Sequence, residues 1–231
     1  MDWKKDLFET EWPQEISNYD SKLAAAKKIA GLAQDGEVIG FGSGSTCYLA
    51  VLELGKRVAG GLKITAIPTS FEILHLCEAL NIPTSNINAQ KPKWCFDGAD
   101  EVDPNGWLIK GRGGAMFNEK LVMINASKRF IVVDSSKLVK TLGTKFAVPV
   151  ECVPQSLMSV KEKLLMLGAK SVSLRLAGKS KDGPMITENG NLIVDAKFDK
   201  IDKTLEKQIK CITGVIESGL FIDYDAEIIR V

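Results

Sequence analysis

Four short apolar runs, EVIGF at 37–41, KITAIP at 63–68, KWCF at 93–96 and RFIVV at 129–133, alternate with segments of helical periodicity. Strands buried on both faces read as continuous apolar runs, and helices placed between successive strands force a parallel sheet covered on both sides. An α/β architecture is therefore expected. Each run also ends on glycines or small polar residues: GSGST, PTS, DGAD and DSSK. In parallel sheets ligands bind at the carboxyl ends of the strands, so these four elements mark the expected site.

The helical segments are well punctuated. From Ser21, Leu23, Ala26, Ala30 and Ala33 recur at helical spacing, and the helix is expected to stop before Asp35-Gly36. Further helices are expected over Thr46–Leu54 and Phe71–Leu80, the latter opened by a Thr69/Glu72 capping box. AMFNEKLVMINAS at 115–127 reads as a fourth. DPNG at 103–106 suits a hairpin between WCF and WLIK.

Beyond Pro149 the pattern changes to a small α+β unit. It consists of a helix at 157–169, a strand at 171–177, a hairpin at 185–198 turning on Asn189-Gly190, and a Lys-rich helix at 201–212. VIESGLFIDYD and AEIIRV look like strands returning to the main sheet. The expected division is residues 1–148 with 214–231 in the catalytic domain and 149–213 in the small one.

Composition excludes several classes of function. The 30 Lys and Arg balance 29 Asp and Glu, so no net field draws a polyanion, and nucleic acid is not an expected partner. No stretch approaches the roughly 18 apolar residues of a membrane span, and MDWKKDLFETEWPQEI lacks the apolar core of a signal peptide; a cytoplasmic protein is expected. Five scattered cysteines without a C-x-x-C pair read as reduced core residues. The single histidine, His75, falls on the polar stripe of its helix. Imidazole-rich metal sites and histidine triads are therefore not expected, and acid–base work falls to carboxylates and lysines.

GFGSGST joins a strand to a helix, where backbone N–H groups and the Ser45 and Thr46 hydroxyls suit an anion. A tight turn is the plainer account of the same residues. A dinucleotide fingerprint is not met, because Cys47 stands at its third glycine and the second strand ends on Thr69-Ser70 rather than an acid. In DGADEVD, Asp97 and Asp100 stand three residues apart at a strand end, where two carboxylates can converge on one ligand. Lys110 follows with a glycine-rich loop, and Glu119 comes nine residues later in a helical first turn, where an acid also complements the helix dipole.

GSGST, DGADEVD, KGRGGAMFNEK and VDSSK, in this order and spacing, together with PVE at 149–151 and TGVIESGLF, resemble ribose-5-phosphate isomerase of the A type from about Ser21 to the C-terminus. The resemblance implies a Rossmann-like domain with a smaller α+β, ferredoxin-like domain, in a homodimer or homotetramer. It also implies cofactor-free and metal-free interconversion of ribose 5-phosphate and ribulose 5-phosphate through an enediolate, in the non-oxidative pentose phosphate pathway. It assigns Glu119 to the proton between carbon 1 and carbon 2, and Asp97, Asp100 and Lys110 to ring opening and the oxygens. Sugar-phosphate contacts are assigned to Lys22, Ser43, Gly44, Ser45, Thr46 and Lys137. The backbone around Gly98, Ala99, Gly111, Arg112 and Gly113 completes the set.

Two features depart from the family pattern: Arg112 stands where glycine is frequent, and about twenty N-terminal residues with Trp3 and Trp12 precede the usual start. Three other classes are set against the isomerase. A non-catalytic sugar-phosphate sensor would bind without turnover and would usually carry a DNA-binding module. An amino-sugar phosphate deaminase or coenzyme A transferase would not combine DGAD, KGRGGA and Glu119. An NAD-linked dehydrogenase is opposed by Cys47 and Thr69-Ser70.

Overall fold

The computed structural model describes residues 12, 15–178 and 181–230; Trp3 and the rest of the first eleven residues lie outside them, as does Val231 at the end of AEIIRV. By internal contacts the chain divides into two units. The first holds residues 1–98, 118–136 and 226–231, and the second 99–117 and 137–225. The division is more interlaced than the sequence suggests, because 99–117, 137–148 and 214–225 fall in the second unit.

The first unit is built on a five-stranded parallel sheet of β1 (Glu37–Phe41), β2 (Ile64–Pro68), β3 (Trp94–Asp97), β6 (Lys128–Val133) and β12 (Glu227–Arg230). Their spatial order is β12-β6-β3-β1-β2. The first strand thus lies inside the sheet, and the winding direction reverses between β1 and β3, the place where doubly wound sheets open a ligand crevice. β1 and β3 are in register through Phe41 and Phe96, which brings their carboxyl ends side by side.

Helices α1 (Tyr19–Leu32), α2 (Ser45–Ala59), α3 (Phe71–Ala79) and α4 (Met116–Asn125) accompany these strands. In α1 the buried stripe is Ala25, Ala26, Ile29 and Ala30, continued by Ala33 beyond the helix end, while Leu23 is only half-buried. The stripe is thus turned slightly from the expected one, and its small side chains let α1 pack closely on α2. The cap of α3 is Ser70, whose Oγ accepts the Ile73 N–H at 3.3 Å. The expected cap, Thr69, is buried instead and shares a hydrogen bond with Ser43. One apolar core, including Ile29, Ile39, Phe41, Leu54, Ile73 and Phe96, unites these elements, and Trp12 packs on Tyr48 with ring centroids 5.0 Å apart.

The second unit carries an antiparallel sheet of β7 (Val148–Cys152), β8 (Ser171–Leu174), β9 (Leu192–Lys197) and β10 (Val215–Ser218), ordered β10-β7-β9-β8. With α5 (Leu157–Met166) between β7 and β8 and α6 (Leu205–Lys210) between β9 and β10, the chain runs βαββαβ in the ferredoxin-like order. Val148, Val150, Cys152, Val160, Leu164, Val194 and Ile209 form its core. A three-stranded sheet completes the unit: β4 (Glu101–Val102), β5 (Leu108–Ile109) and β11 (Leu220–Phe221), ordered β11-β5-β4.

Two expectations are corrected here. VIESGLFIDYD does not return to the parallel sheet: its first strand pairs with β7 and its second with β5, and only β12 joins the main sheet beside β6. β10 runs antiparallel along the edge of β7, from Val215 beside Cys152 to Ser218 beside Val150, so its backbone groups are taken up in the small sheet. The DPNG hairpin joins Glu101–Val102 to Leu108–Ile109, not WCF to WLIK, since WCF is spent on parallel pairing with β1 and β6. Asp103 Oδ1 closes the turn by accepting the N–H groups of Asn105 and Trp107 at 2.9 and 3.0 Å.

Candidate active site

In the first unit the GSGST turn leaves β1 at Phe41 and enters α2 at Ser45. Gly44 sits at the helix N-cap with φ of 89°, a left-handed conformation that glycine adopts without strain, and supplies no side-chain cap. The first-turn N–H groups of α2 are therefore not taken by a capping side chain at that position, and no acid stands in the first turn. Lys22 is buried and reaches from α1 to the same turn, its Nζ donating to Ser45 Oγ at 3.1 Å and Ser17 Oγ at 3.3 Å. Ser43 and Thr69 hydroxyls lie 2.8 Å apart, which ties this turn to the end of β2. A buried ammonium, hydroxyls and helix N–H groups together present the donors that an anion requires. Thr46 lies in the first turn of α2.

Asp97 ends β3 and is only 3% exposed. Its Oδ1 accepts the Gly98 N–H at 2.7 Å and the Cys47 thiol at 3.7 Å. Gly42 lies directly against this carboxylate: a Cβ at position 42 would overlap Asp97 Cγ and Oδ1. Glu119 stands in the first turn of α4 and is 6% exposed. Its neighbour Asn118 donates Nδ2 to the Thr69 carbonyl at 3.1 Å, fastening the start of α4 to the carboxyl end of β2. The first unit thus gathers Lys22, Ser43, Ser45, Asp97 and Glu119 on elements that meet at the strand tips.

The second unit orders the other expected residues. Asp100 donates its N–H to Ile109 O at 2.8 Å and Lys110 donates its own to Gly219 O at 2.8 Å, so both flank the three-stranded sheet. Lys110 is buried, with Nζ 5.6 Å from the Phe221 ring centre. Asp100 Oδ2 accepts the Arg112 N–H at 3.2 Å. Burial pushes the Asp100 carboxyl above the usual aspartate range, against the opposing pull of the Lys110, Lys137 and Arg112 charges. The Arg112 guanidinium and the Lys137 ammonium each lie 5.8 Å from the Phe146 ring centre. Arg112 is therefore part of a cationic group held on one aromatic ring.

Four contributing residues were not expected. Thr69 reads in the sequence as a helix cap, and Asn118 lies beside Glu119 without any pattern of its own. Phe146 is an isolated aromatic in a loop. Glu101, within DGADE, is fully buried and accepts the N–H groups of Gly143, Lys145 and Phe146 at 2.7, 2.5 and 2.8 Å. Only Glu101 carries a signal, as an acid that follows Asp100 directly and opens a two-residue strand with the apolar Val102.

His75 is exposed on α3 beside Glu78, as its polar stripe implies. Cys47, Cys77, Cys95 and Cys152 are buried, but Cys211 is exposed at the end of α6, against the expectation that all five lie in cores. Among the described residues no cluster of three or more His, Cys, Asp or Glu is placed to hold a metal ion, and no helix is long and apolar enough to cross a membrane.

The first unit is an α/β body that carries buried acids, the buried Lys22 and a hydroxyl-rich turn at the carboxyl ends of a parallel sheet. The family model for ribose 5-phosphate isomerase A (phosphoriboisomerase A) matches residues 65–230. The chain belongs to that family. It is 47% identical over 206 residues to ribose-5-phosphate isomerase A of Synechococcus sp., covering 87% of this chain and 88% of that protein. The solved ribose 5-phosphate isomerase A of Methanocaldococcus jannaschii aligns with a TM-score of 0.88 and 42% identity, over 93% of this chain and 95% of that one. A solved D-ribose-5-phosphate isomerase in complex with phospho-erythronic acid aligns with a TM-score of 0.88 and 39% identity, at the same coverage.

Proposed function

We propose that this chain interconverts D-ribose 5-phosphate and D-ribulose 5-phosphate, with Glu119 as the base that moves the proton between carbon 2 and carbon 1. The observation that carries the assignment is the buried Glu119 on a helix start fastened by Asn118 to the tip of β2, in a protein of this family. A base held in that way loses little orientation freedom when substrate arrives.

Removing a proton next to a carbonyl leaves an enediolate, so the site must stabilise oxygen charge as well as supply a base. A positioned base contributes about 10² to 10⁴ in rate, and loss of a preorganised oxyanion donor costs about 10² to 10³. Both are needed to approach the roughly 10⁶ or more typical of enzymes. Lys110, with the Asp97 and Asp100 carboxyls, opens the sugar ring and manages the oxygens; the amides of residues 98, 99, 111, 112 and 113 add donors. The phosphate is held by Lys22, the Ser43–Thr46 turn and Lys137. A phospho-aldonic acid bound to a relative fits this scheme, since its planar carboxylate resembles the reacting end of an enediolate.

The reaction is read as cofactor-free and metal-free, carried out in the cytoplasm by a homodimer or homotetramer, as family membership suggests. Glu119→Gln is the test. It is expected to keep ribose 5-phosphate binding by calorimetry while kcat falls by at least about 10³. Turnover at the wild-type rate overturns the role of Glu119. Full loss of wild-type activity on exhaustive chelation overturns the metal-free mechanism, and binding without turnover by the wild type indicates a sensor.

A further inference from the structure

Arg175 follows β8 and lies 64 residues from the glycine-rich loop to which its side chain is bonded. Its Nη1 donates to Gly111 O at 2.8 Å and to Arg112 O at 2.9 Å. Its remaining nitrogens face Asp195 of β9: Nε donates to Oδ2 at 2.9 Å, and Nη2 pairs with Oδ1. Main-chain bonding fixes where this fork starts, because the Arg175 N–H donates to Ile193 O at 2.8 Å and Ser173 is paired with Asp195 across β8 and β9.

We propose that Arg175 is a positioning residue for the isomerase reaction, holding the 110–114 loop so that the Arg112 and Gly113 amides face the side of Asp100. The inference rests on the functional reading above. Each trans peptide points its C=O and the following N–H in opposite directions. Gripping Gly111 O therefore turns the Arg112 N–H away from Arg175, and that N–H is the one that meets Asp100 Oδ2 at 3.2 Å. One peptide unit is held at both ends, by a guanidinium and by a carboxylate. Gripping Arg112 O turns the Gly113 N–H away from Arg175 in the same manner. Two successive N–H groups presented on one side form a small concavity suited to oxygen anions.

All three guanidinium nitrogens are used, and the geometry requires a planar fork. A lysine offers one nitrogen and cannot hold two carbonyls and both oxygens of a carboxylate together. The loop is rich in glycine, and its own turn supplies one bond, from the Gly114 N–H to Gly111 O at 3.1 Å. The antiparallel sheet adds the fork of Arg175, a residue that need not touch the substrate.

The test compares Arg175→Ala, Arg175→Lys and Asp195→Asn by steady-state kinetics. Arg175→Ala is expected to lower kcat about 10- to 100-fold with KM changed less than about threefold, the loss that follows when an aligned site becomes loose. Arg175→Lys is expected to recover little of that loss, and Asp195→Asn to show a smaller fall in kcat of the same kind. Millimolar guanidinium is expected to restore part of the activity of Arg175→Ala and none of that of Asp195→Asn. Arg175→Lys and Asp195→Asn both within twofold of the wild-type kcat overturn the proposal, and so does a loss confined to KM. These two variants decide the matter if Arg175→Ala does not fold. Wild-type protein without turnover defeats the functional reading instead. In that event amide hydrogen exchange still decides the loop claim: faster exchange at Arg112 and Gly113 in Arg175→Lys, at an unchanged unfolding midpoint, supports it, and unchanged exchange overturns it.

Discussion

Gly42 and Asp97 are in direct contact: the backbone at the tip of β1 occupies the space beside the Asp97 carboxylate, and any Cβ at 42 would overlap it. The glycine is therefore required by its neighbour. Asp97 cannot simply move aside, because its Oδ1 is held by the Gly98 N–H at 2.7 Å and β3 is paired on both sides. Gly42→Ala is expected to destabilise the protein by about 1–3 kcal/mol through overpacking. It is also expected to lower kcat/KM by more than about tenfold through displacement of the carboxylate. Thermal unfolding and kinetics on the same sample measure both. Wild-type kcat/KM in Gly42→Ala would show that the position of Asp97 is not critical.

Glu101 stabilises a loop that carries Phe146, the ring on which Arg112 and Lys137 sit. Its carboxylate is the acceptor for three backbone N–H groups at 143, 145 and 146. A hydrogen bond to a charged acceptor contributes about 1.5–3 kcal/mol, and water reaches the half-buried Gly143 and Phe146 and the exposed Lys145, so Glu101→Ala is expected to lose roughly 2 kcal/mol in urea unfolding. Glu101→Gln keeps one carbonyl oxygen and is expected to lose less. Equal midpoints for wild type and Glu101→Ala would remove this acid from the framework of the site.

The elements that the sequence made legible are those in which a local pattern and a tertiary role coincide. β1, β3 and α4 are read correctly because continuous apolar runs and helical spacing need no partner to be recognised. The fate of VIESGLFIDYD was not legible, since a short strand with buried residues pairs equally well with a parallel or an antiparallel neighbour. At the site, Asp97, Lys110 and Glu119 carry motif chemistry that can be read in one dimension. Thr69, Asn118, Phe146 and Arg175 act through contacts to chain segments 26 to 64 residues away, as the Thr69–Ser43 and Arg175–Gly111 bonds show. No periodicity records such contacts. Arg112, a departure from the family pattern, has its place on the Phe146 ring, a contact that the sequence does not record.

The five cysteines separate by environment. Burial, and then the Glu78 charge, pushes the Cys77 thiol up to about 12, and burial with the Glu151 charge pushes Cys152 upward as well. Thiolate is the reactive form, so buried and raised thiols are slow. Cys211 is the exposed member of the set. A thiol reagent such as Ellman's at pH 8 is expected to label Cys211 alone in the native protein and all five after denaturation. Rapid native labelling of Cys47 or Cys95 would mean that the core around β1 and β3 opens readily.

Asp100 sets a pH dependence whose direction follows from its surroundings. Burial raises its carboxyl, and the Lys110, Lys137 and Arg112 charges together with the Arg112 N–H only partly reverse this. A raised carboxyl is one whose charged form the fold disfavours, so its contribution to stability is present below the ordinary aspartate range and is lost as pH rises through the raised value. The ionised form that can accept the Arg112 N–H as a carboxylate therefore appears only above the ordinary range. Removing one opposing charge must raise the carboxyl further. Lys137→Met is expected to move the Asp100 carbon-13 titration to higher pH. The acidic limb of kcat/KM should move in the same direction if ionised Asp100 handles the sugar oxygens. A Lys137→Met titration that shifts downward would contradict the electrostatics of the second unit. An acidic limb that is the same in Asp100→Asn as in the wild type would assign that limb to another group.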